Sequence, residues 1–390
     1  MKRAAFALAV MAVASVIAAG AAMAVVDDAR ETPAGRDAAL DRALENLVAM
    51  RGGPPGVIAV VQRGGMRKVH TAGVANLKTG RPIGVNDHMR IASTAKAFSG
   101  AVALSLVSKG TLSVNDTIGD LRPKLPKSWH EITLRQLLNH TSGLPDFSKN
   151  PRFRKAVLAS LKKPPPPEKL LSYVRDKDPL FDPGSRYHYS NTDNIVVGLM
   201  VESATNRTYE SQLQKQVYGP LGLEKTTLPR GPNLTAPYIH GYDNEPPPPP
   251  PEDLSEAIAA GWAWASGGIV STPADLNDFI RGYVGGDLFD QRTRAKQRRI
   301  IEGGRSEPPG PGKNSAGLAV FRYKTPCGAV WGHTGNFLGY TQFMAATPDG
   351  SRSVVVSVNE QLTPRDGASG VFDALRATER RAVCAALSSD

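Results

Sequence analysis

Segments with strand character in this 390-residue chain lie near its two ends, and that placement constrains the fold more than any other feature. Residues 57–61 are β-rich, Gly64-Gly65 provides a hairpin turn, and residues 68–73 return. Near the other end, residues 318–323, 329–332, 341–346 and 353–358 read as strands, with Pro348-Asp349-Gly350 as the turn before the last. Residues 37–50 carry Leu40, Ala43, Leu44 and Leu47 at helical spacing and stop at Gly52-Gly53-Pro54-Pro55; a second helix is predicted over residues 371–386. Between the ends, residues 93–278 show mainly helical patterns broken by proline. Strands at both ends around a helical middle predict one antiparallel sheet completed by both termini, flanked by helices, with an all-α subdomain inserted: an α+β architecture. The predicted division is a sheet subdomain of residues 25–92 and 279–390, and a helical one of residues 93–278.

The N-terminus stands outside that fold. Lys2 and Arg3 precede an apolar run over residues 4–19, and Ala22-Met23-Ala24 supplies a cleavage site, so residues 1–24 read as a secretory signal peptide and the protein as secreted. The alternative is a retained membrane anchor, since residues 4–26 carry no charge. Export makes a disulfide the default for the two cysteines, Cys327 and Cys384. With no clustered histidine, they form neither a metal site nor a redox motif. No cofactor is implied.

The excess of 47 basic over 36 acidic residues gives a net charge of +11. That charge attracts acidic polymers or is spread diffusely. The basic run over residues 292–299 reads as a solvated loop without interleaved aromatics, so no nucleic-acid partner is expected. The proline tracts at residues 164–167 and 246–251 read as stiff spacers.

Three short motifs carry chemistry. In Ser93-Thr94-Ala95-Lys96 a hydroxyl and an amine stand one helical turn apart, and an amine kept neutral accepts a serine proton. Ser160-Leu161-Lys162-Lys163 repeats the pattern but runs into Pro164, which ends any helix, and reads as loop. Tyr189-Ser190-Asn191 follows a turn and precedes an apolar helix; a tyrosine whose pKa is lowered by nearby cations exchanges protons, and an asparagine amide holds a carbonyl. His333-Thr334-Gly335 ends the 329–332 strand and places a cation-capable ring, a hydroxyl and an approachable backbone along one edge.

In this order the motifs resemble the serine β-lactamase and penicillin-binding family, in the branch with Tyr-x-Asn and His-Thr-Gly motifs. That branch includes class C β-lactamases, exocellular D-alanyl-D-alanine carboxypeptidases, esterases and D-aminopeptidases. Residues 132–144, 218–223 and 264–272 extend the likeness over nearly the whole mature chain, and it is strongest to actinomycete-type carboxypeptidases, whose cysteine pair also flanks the His-Thr-Gly strand and the last helix. The resemblance implies a β-lactamase/transpeptidase-like fold, a monomer, and peptidoglycan D-Ala-D-Ala peptides or β-lactams as partners. It makes Ser93 the acylated nucleophile, Lys96 its proton partner and Tyr189 a general base and acid. Asn191 binds the substrate amide, His333 replaces a cationic lysine, and Thr334 contacts a substrate carboxylate. Gly335 and Trp262 border the site, and the backbone N–H groups of Ser93 and Asn336 form the oxyanion hole. The expected activity is a D-alanyl-D-alanine carboxypeptidase; the alternatives are a β-lactamase, an esterase or D-amino-acid amidase, and a non-catalytic penicillin-binding module. Two positions depart from the pattern. Asn336 replaces a hydroxyl residue, and Phe321 stands near the mouth, with Trp262 and Trp264 nearby, where a carboxylate-gripping arginine is expected. Arg322, one residue on, would point away.

Overall fold

The computed structural model describes residues 32–243, 251–364 and 370–388. The expected signal peptide and most of the second proline tract lie outside them. Among the described residues no helix is long and apolar enough to cross a membrane.

Both chain ends build one seven-stranded antiparallel sheet among the described residues. Its strands are β1 (Gly56–Arg63), β2 (Met66–Gly73), β3 (Lys313–Ala316), β4 (Phe321–Thr325), β5 (Gly328–Phe337), β6 (Tyr340–Ala346) and β7 (Arg352–Val358). They run in the order β2-β1-β7-β6-β5-β4-β3. Val57 lies opposite Val358, and Phe343 opposite Thr334.

Alternate residues of β1 belong to different cores, as side-chain alternation requires of a strand covered on both faces. Val57, Ala59 and Val61 pack with Leu40 and Leu44 of α1 (Pro33–Ala49) and Leu375 and Val383 of α5 (Val371–Leu387). Ile58 and Val60 join the larger core, with Phe98 of α2 (Ala95–Ser108), Val196 of α3 (Asn191–Thr205) and Phe279 of α4 (Pro273–Gly285). Each such fully buried side chain stabilises the fold by about 1.5–3 kcal/mol. Threonine caps followed by proline start α1 and α4, where Thr32 and Thr272 accept from Gly35 and Asp275 N–H.

The structure departs from the predicted elements where tertiary pairing overrides local pattern. The strand expected at 318–323 starts at Phe321, because Leu318 and Ala319 form a turn whose carbonyls both accept from Tyr283 Oη. β5 continues past Gly332 to Phe337, so His333-Thr334-Gly335 lies inside a strand rather than at its end. The basic run is largely helix, Gln291–Gln297, capped by Asp290, with Arg298 and Arg299 just past its end.

Cys327 and Cys384 form the disulfide, 57 residues apart, fastening the start of β5 to α5. Closing a loop of that length stabilises the fold by about 4 kcal/mol in the chain-entropy model. Reduction should therefore lower the denaturant midpoint and steepen the slope, because the opened loop lets the unfolded chain expose more surface, as a urea titration with and without dithiothreitol will show.

Candidate active site

Ser93 sits in a 3-10 turn, Ala92–Thr94, that leads directly into α2. Ala92 adopts φ +51, and Thr94 Oγ1 donates to Ile91 O at 2.6 Å, together sharpening the entry. One turn on, Lys96 is completely buried. Its Nζ lies 2.9 Å from Ser93 Oγ, 2.7 Å from Asn191 Oδ1 and 2.6 Å from the Ser266 carbonyl. Asn191 and Ser266 offer only acceptors to it, so a neutral amine donates to both and keeps its lone pair for the Ser93 hydroxyl. Burial lowers the Lys96 pKa to about 7, against the opposing pull of Asp146, Glu307 and Asp193.

Asn191 is held on both ends of its amide. Its Nδ2 donates to Asp146 Oδ2 at 2.9 Å and Ser148 Oγ at 3.0 Å, while its Oδ1 meets Lys96. In this arrangement it positions the amine, and both its amide hydrogens are already used. Tyr189 faces the same centre: Lys96 Nζ is 5.1 Å from its ring centroid. Its hydroxyl is buried without a hydrogen bond of ordinary geometry, although Ser93 is near enough to favour its ionised form. Burial outweighs that influence and raises its pKa well above the usual value, contrary to the expected lowering. Tyr189 is therefore a phenol.

Behind Tyr189 stands a buried polar chain. The His140 ring lies 4.5 Å from that of Tyr189, its Nδ1 is 2.7 Å from Asp193 Oδ2, and Ser142 Oγ donates to Asp193 Oδ1 at 2.5 Å. Burial lowers the His140 pKa to about 3, so its ring is neutral, and raises that of Asp193.

β5 closes the other side. A Cβ on Gly335 would lie 2.7 Å from Ile91 O and 3.0 Å from Ser93 N, so only glycine lets the strand press against the turn that carries Ser93. Gly335→Ala is expected to displace that turn and lower kcat about a hundredfold, with a drop in Tm measured alongside.

His333 does not supply the expected cation. It is buried, its ring meets Phe321 edge-on at 5.0 Å, and burial holds its pKa at about 3. Nδ1 lies 2.5 Å from Thr334 O, so it carries the proton, and the unprotonated Nε2 is buried without a partner. Thr334 Oγ1 donates to Pro308 O at 2.6 Å, which spends the hydrogen expected for a substrate carboxylate. Asn336 borders the pocket, its Nδ2 donating to Leu362 O. Phe321 is not at the mouth but in the core with α1 and α5. Arg322 turns away toward Glu302 at 3.7 Å.

The cavity beside Ser93 has a volume of about 210 Å3. Phe147, Phe153, Ile258, Trp262 and Phe337 supply its apolar walls, with Ser148, Asn191 and Asn336 at polar points. Trp262 is fixed by Nε1 donating to Ser160 O at 3.2 Å. Trp264 lies elsewhere, against Gly198 and Tyr209, donating to Glu210. Ser160 has its hydroxyl on the Lys163 carbonyl and takes no part. A larger cleft of about 490 Å3, beside Asp278 and Arg281, contains none of these groups.

Sequence reasoning missed Asp146, His140, Asp193, Ser266 and, apart from Trp262, the aromatic wall. The 139–143 stretch, Asn-His-Thr-Ser-Gly, is a visible signal for His140 and Ser142; nothing in sequence marks the Ser266 carbonyl.

A serine and a buried lysine of lowered pKa on one helix turn, faced by a tyrosine and closed by a Gly-bearing strand, make a candidate serine hydrolase site. A sequence model of the Beta-lactamase family matches residues 40–378. The chain belongs to that family. It is 24% identical to a Beta-lactamase of Yersinia enterocolitica over 65% of this chain and 62% of that protein. With a D-aminopeptidase of Cereibacter sphaeroides it shares 27% identity over 86% of this chain and 62% of the relative. Both alignments thus span less than two thirds of the curated relatives' length. The crystal structure of a D-stereospecific amidohydrolase from Streptomyces sp. superposes with a TM-score of 0.76 at 28% identity, covering 88% of this chain and 98% of the other.

Proposed function

We propose that this protein is a serine amidohydrolase that forms an acyl-enzyme on Ser93 and acts on D-amino-acid amides, esters or short peptides with a bulky apolar side chain at the scissile carbonyl. The observation that carries this reading is the pocket's lining: among the described residues none that borders it is lysine, arginine or histidine. A free C-terminal carboxylate, or the carboxylate of a β-lactam, would ordinarily be held by bidentate arginine or a charged group. Here His333 is neutral, Thr334 has its proton engaged and Arg322 faces Glu302. The aromatic walls suit a single large side chain. D-configuration is proposed from the names of the aminopeptidase and amidohydrolase that this chain resembles.

In the proposed sequence neutral Lys96 takes the Ser93 proton as Oγ bonds to the carbonyl carbon. The oxyanion is received by the backbone N–H groups of Ser93 and Asn336. Tyr189, a phenol, relays the proton from Lys96 to the departing nitrogen or oxygen as the C–N or C–O bond breaks. Water then cleaves the Ser93 ester by the reverse route and restores the serine hydroxyl.

Incubation with D-phenylalanine amide, its methyl ester and an acylated D-Ala-D-Ala peptide tests this. The amide or ester should be consumed at least about tenfold faster in kcat/KM, a difference of roughly 1.4 kcal/mol. Preferential release of D-alanine would instead support the carboxypeptidase reading. Turnover of a chromogenic cephalosporin above both would make it a β-lactamase.

A further inference from the structure

The helix that forms one wall of the pocket carries an unpaired basic and apolar strip on its outward face. Helix Pro151–Ala159 is started by Asn150, which accepts from Arg152 N–H at 2.8 Å. Phe153 and Val157 turn inward to the pocket. On the opposite side Leu158 is 69% exposed and follows Arg154 and Lys155 by four and three positions, the spacing of neighbours on one helix face. The turn that follows exposes Leu161, Lys162 and Lys163. Residues 147–167 include no acidic residue. Arg152 is paired with Asp176 at 3.4 Å, whereas Arg154, Lys155, Lys162 and Lys163 form no ion pair among the described residues.

We propose that this strip docks the protein on an anionic lipid bilayer, with Leu158 and Leu161 entering the interface and the four free cations set over the headgroups. Charge complementarity selects an anionic surface, since each juxtaposed basic residue adds to binding there. The two leucines select a bilayer over a soluble polyanion: an amphipathic helix buries its apolar residues in the headgroup boundary, and a polyanion in water offers no such phase. Because Phe153 and Val157 belong to the same helix, docking would bring the pocket wall close to the surface. The inference does not depend on the substrate proposed above.

The test uses the full chain with Leu158→Cys carrying a polarity-sensitive fluorophore, so that the reading comes from the strip and not from any other apolar segment. Vesicles of phosphatidylglycerol mixed with phosphatidylcholine should shift the emission to the blue, and pure phosphatidylcholine should not. Arg154→Glu with Lys155→Glu should weaken the partition at least about tenfold, while hydrolysis of a soluble ester stays unchanged. Raising salt from 0.05 to 0.5 M should weaken the labelled protein's partition without any further variant, as screening requires at roughly these concentrations. No shift on anionic vesicles, an equal shift with soluble polyphosphate, or a partition indifferent to both charge reversal and salt would overturn the proposal.

Discussion

Ser93→Ala is expected to remove all covalent labelling and to lower kcat/KM by at least about 10^4-fold, the scale on which loss of an activated nucleophile is measured in serine hydrolases. This follows from the hydroxyl's position. It lies at the entry to α2, 2.9 Å from a buried amine, beside the cavity. Among the described residues no other hydroxyl near the site replaces it, because Ser148 Oγ donates to Asp146 Oδ1 at 2.8 Å and Ser266 Oγ to Ala263 O at 2.6 Å. Stability should change little, since the lost group is partly exposed. Intact mass after incubation with an activated ester reads the outcome. A persistent adduct on the alanine variant would place the nucleophile elsewhere, and Ser160→Ala serves as the matched control.

Lys96→Met should cost about 10^2–10^4-fold in the acylation rate, the range ascribed to a positioned general base. Methionine fills the buried channel but neither accepts the serine proton nor spans Asn191 and Ser266. The same residue sets the pH dependence. Only the uncharged amine has a lone pair for Ser93, and burial brings its pKa from 10.5 to about 7. Single-turnover acylation by the native protein should therefore be slow at pH 5, rise through about pH 7 and level off above pH 8. His140 and His333, both near 3, contribute no step in this window. A rate independent of pH from 5 to 8, with activity retained in the methionine variant, would remove Lys96 from the base role.

The local chemistry was legible because it is written in short spacings. Ser93 and Lys96 are three apart on one helix, Tyr189 and Asn191 straddle one N-cap, and His333 to Gly335 share one strand. Charge state was not legible, because burial is a tertiary property. His333 reads as a cation until Phe321 lies against it, and Tyr189 as an activated phenol until its surroundings are desolvated. The sheet shows the same division. Valine runs announce β1 and β7, whereas β3, Lys-Asn-Ser-Ala, has no apolar alternation and forms only because β4 offers it an edge. The 329–332 strand reads as ending at His333-Thr334-Gly335, yet β6 carries β5 through these residues to Phe337. Phe147, Phe153, Ile258 and Phe337 are too far apart in sequence for any motif to join them.

The place of β1 in the sheet has a consequence for how the molecule comes into being. Gly56 N–H donates to Asn359 Oδ1 at 2.6 Å across 303 residues, and β1 finds its inner neighbour only in β7. Contacts of such long range close slowly, since the loop entropy must be met before they form. While the chain is being made, β1 has only its hairpin partner, and a lone hairpin is marginal in water. The emerging polypeptide thus stays open until its last strands arrive. The turn that carries Ser93, pressed against β5, assembles only once β5 is in place.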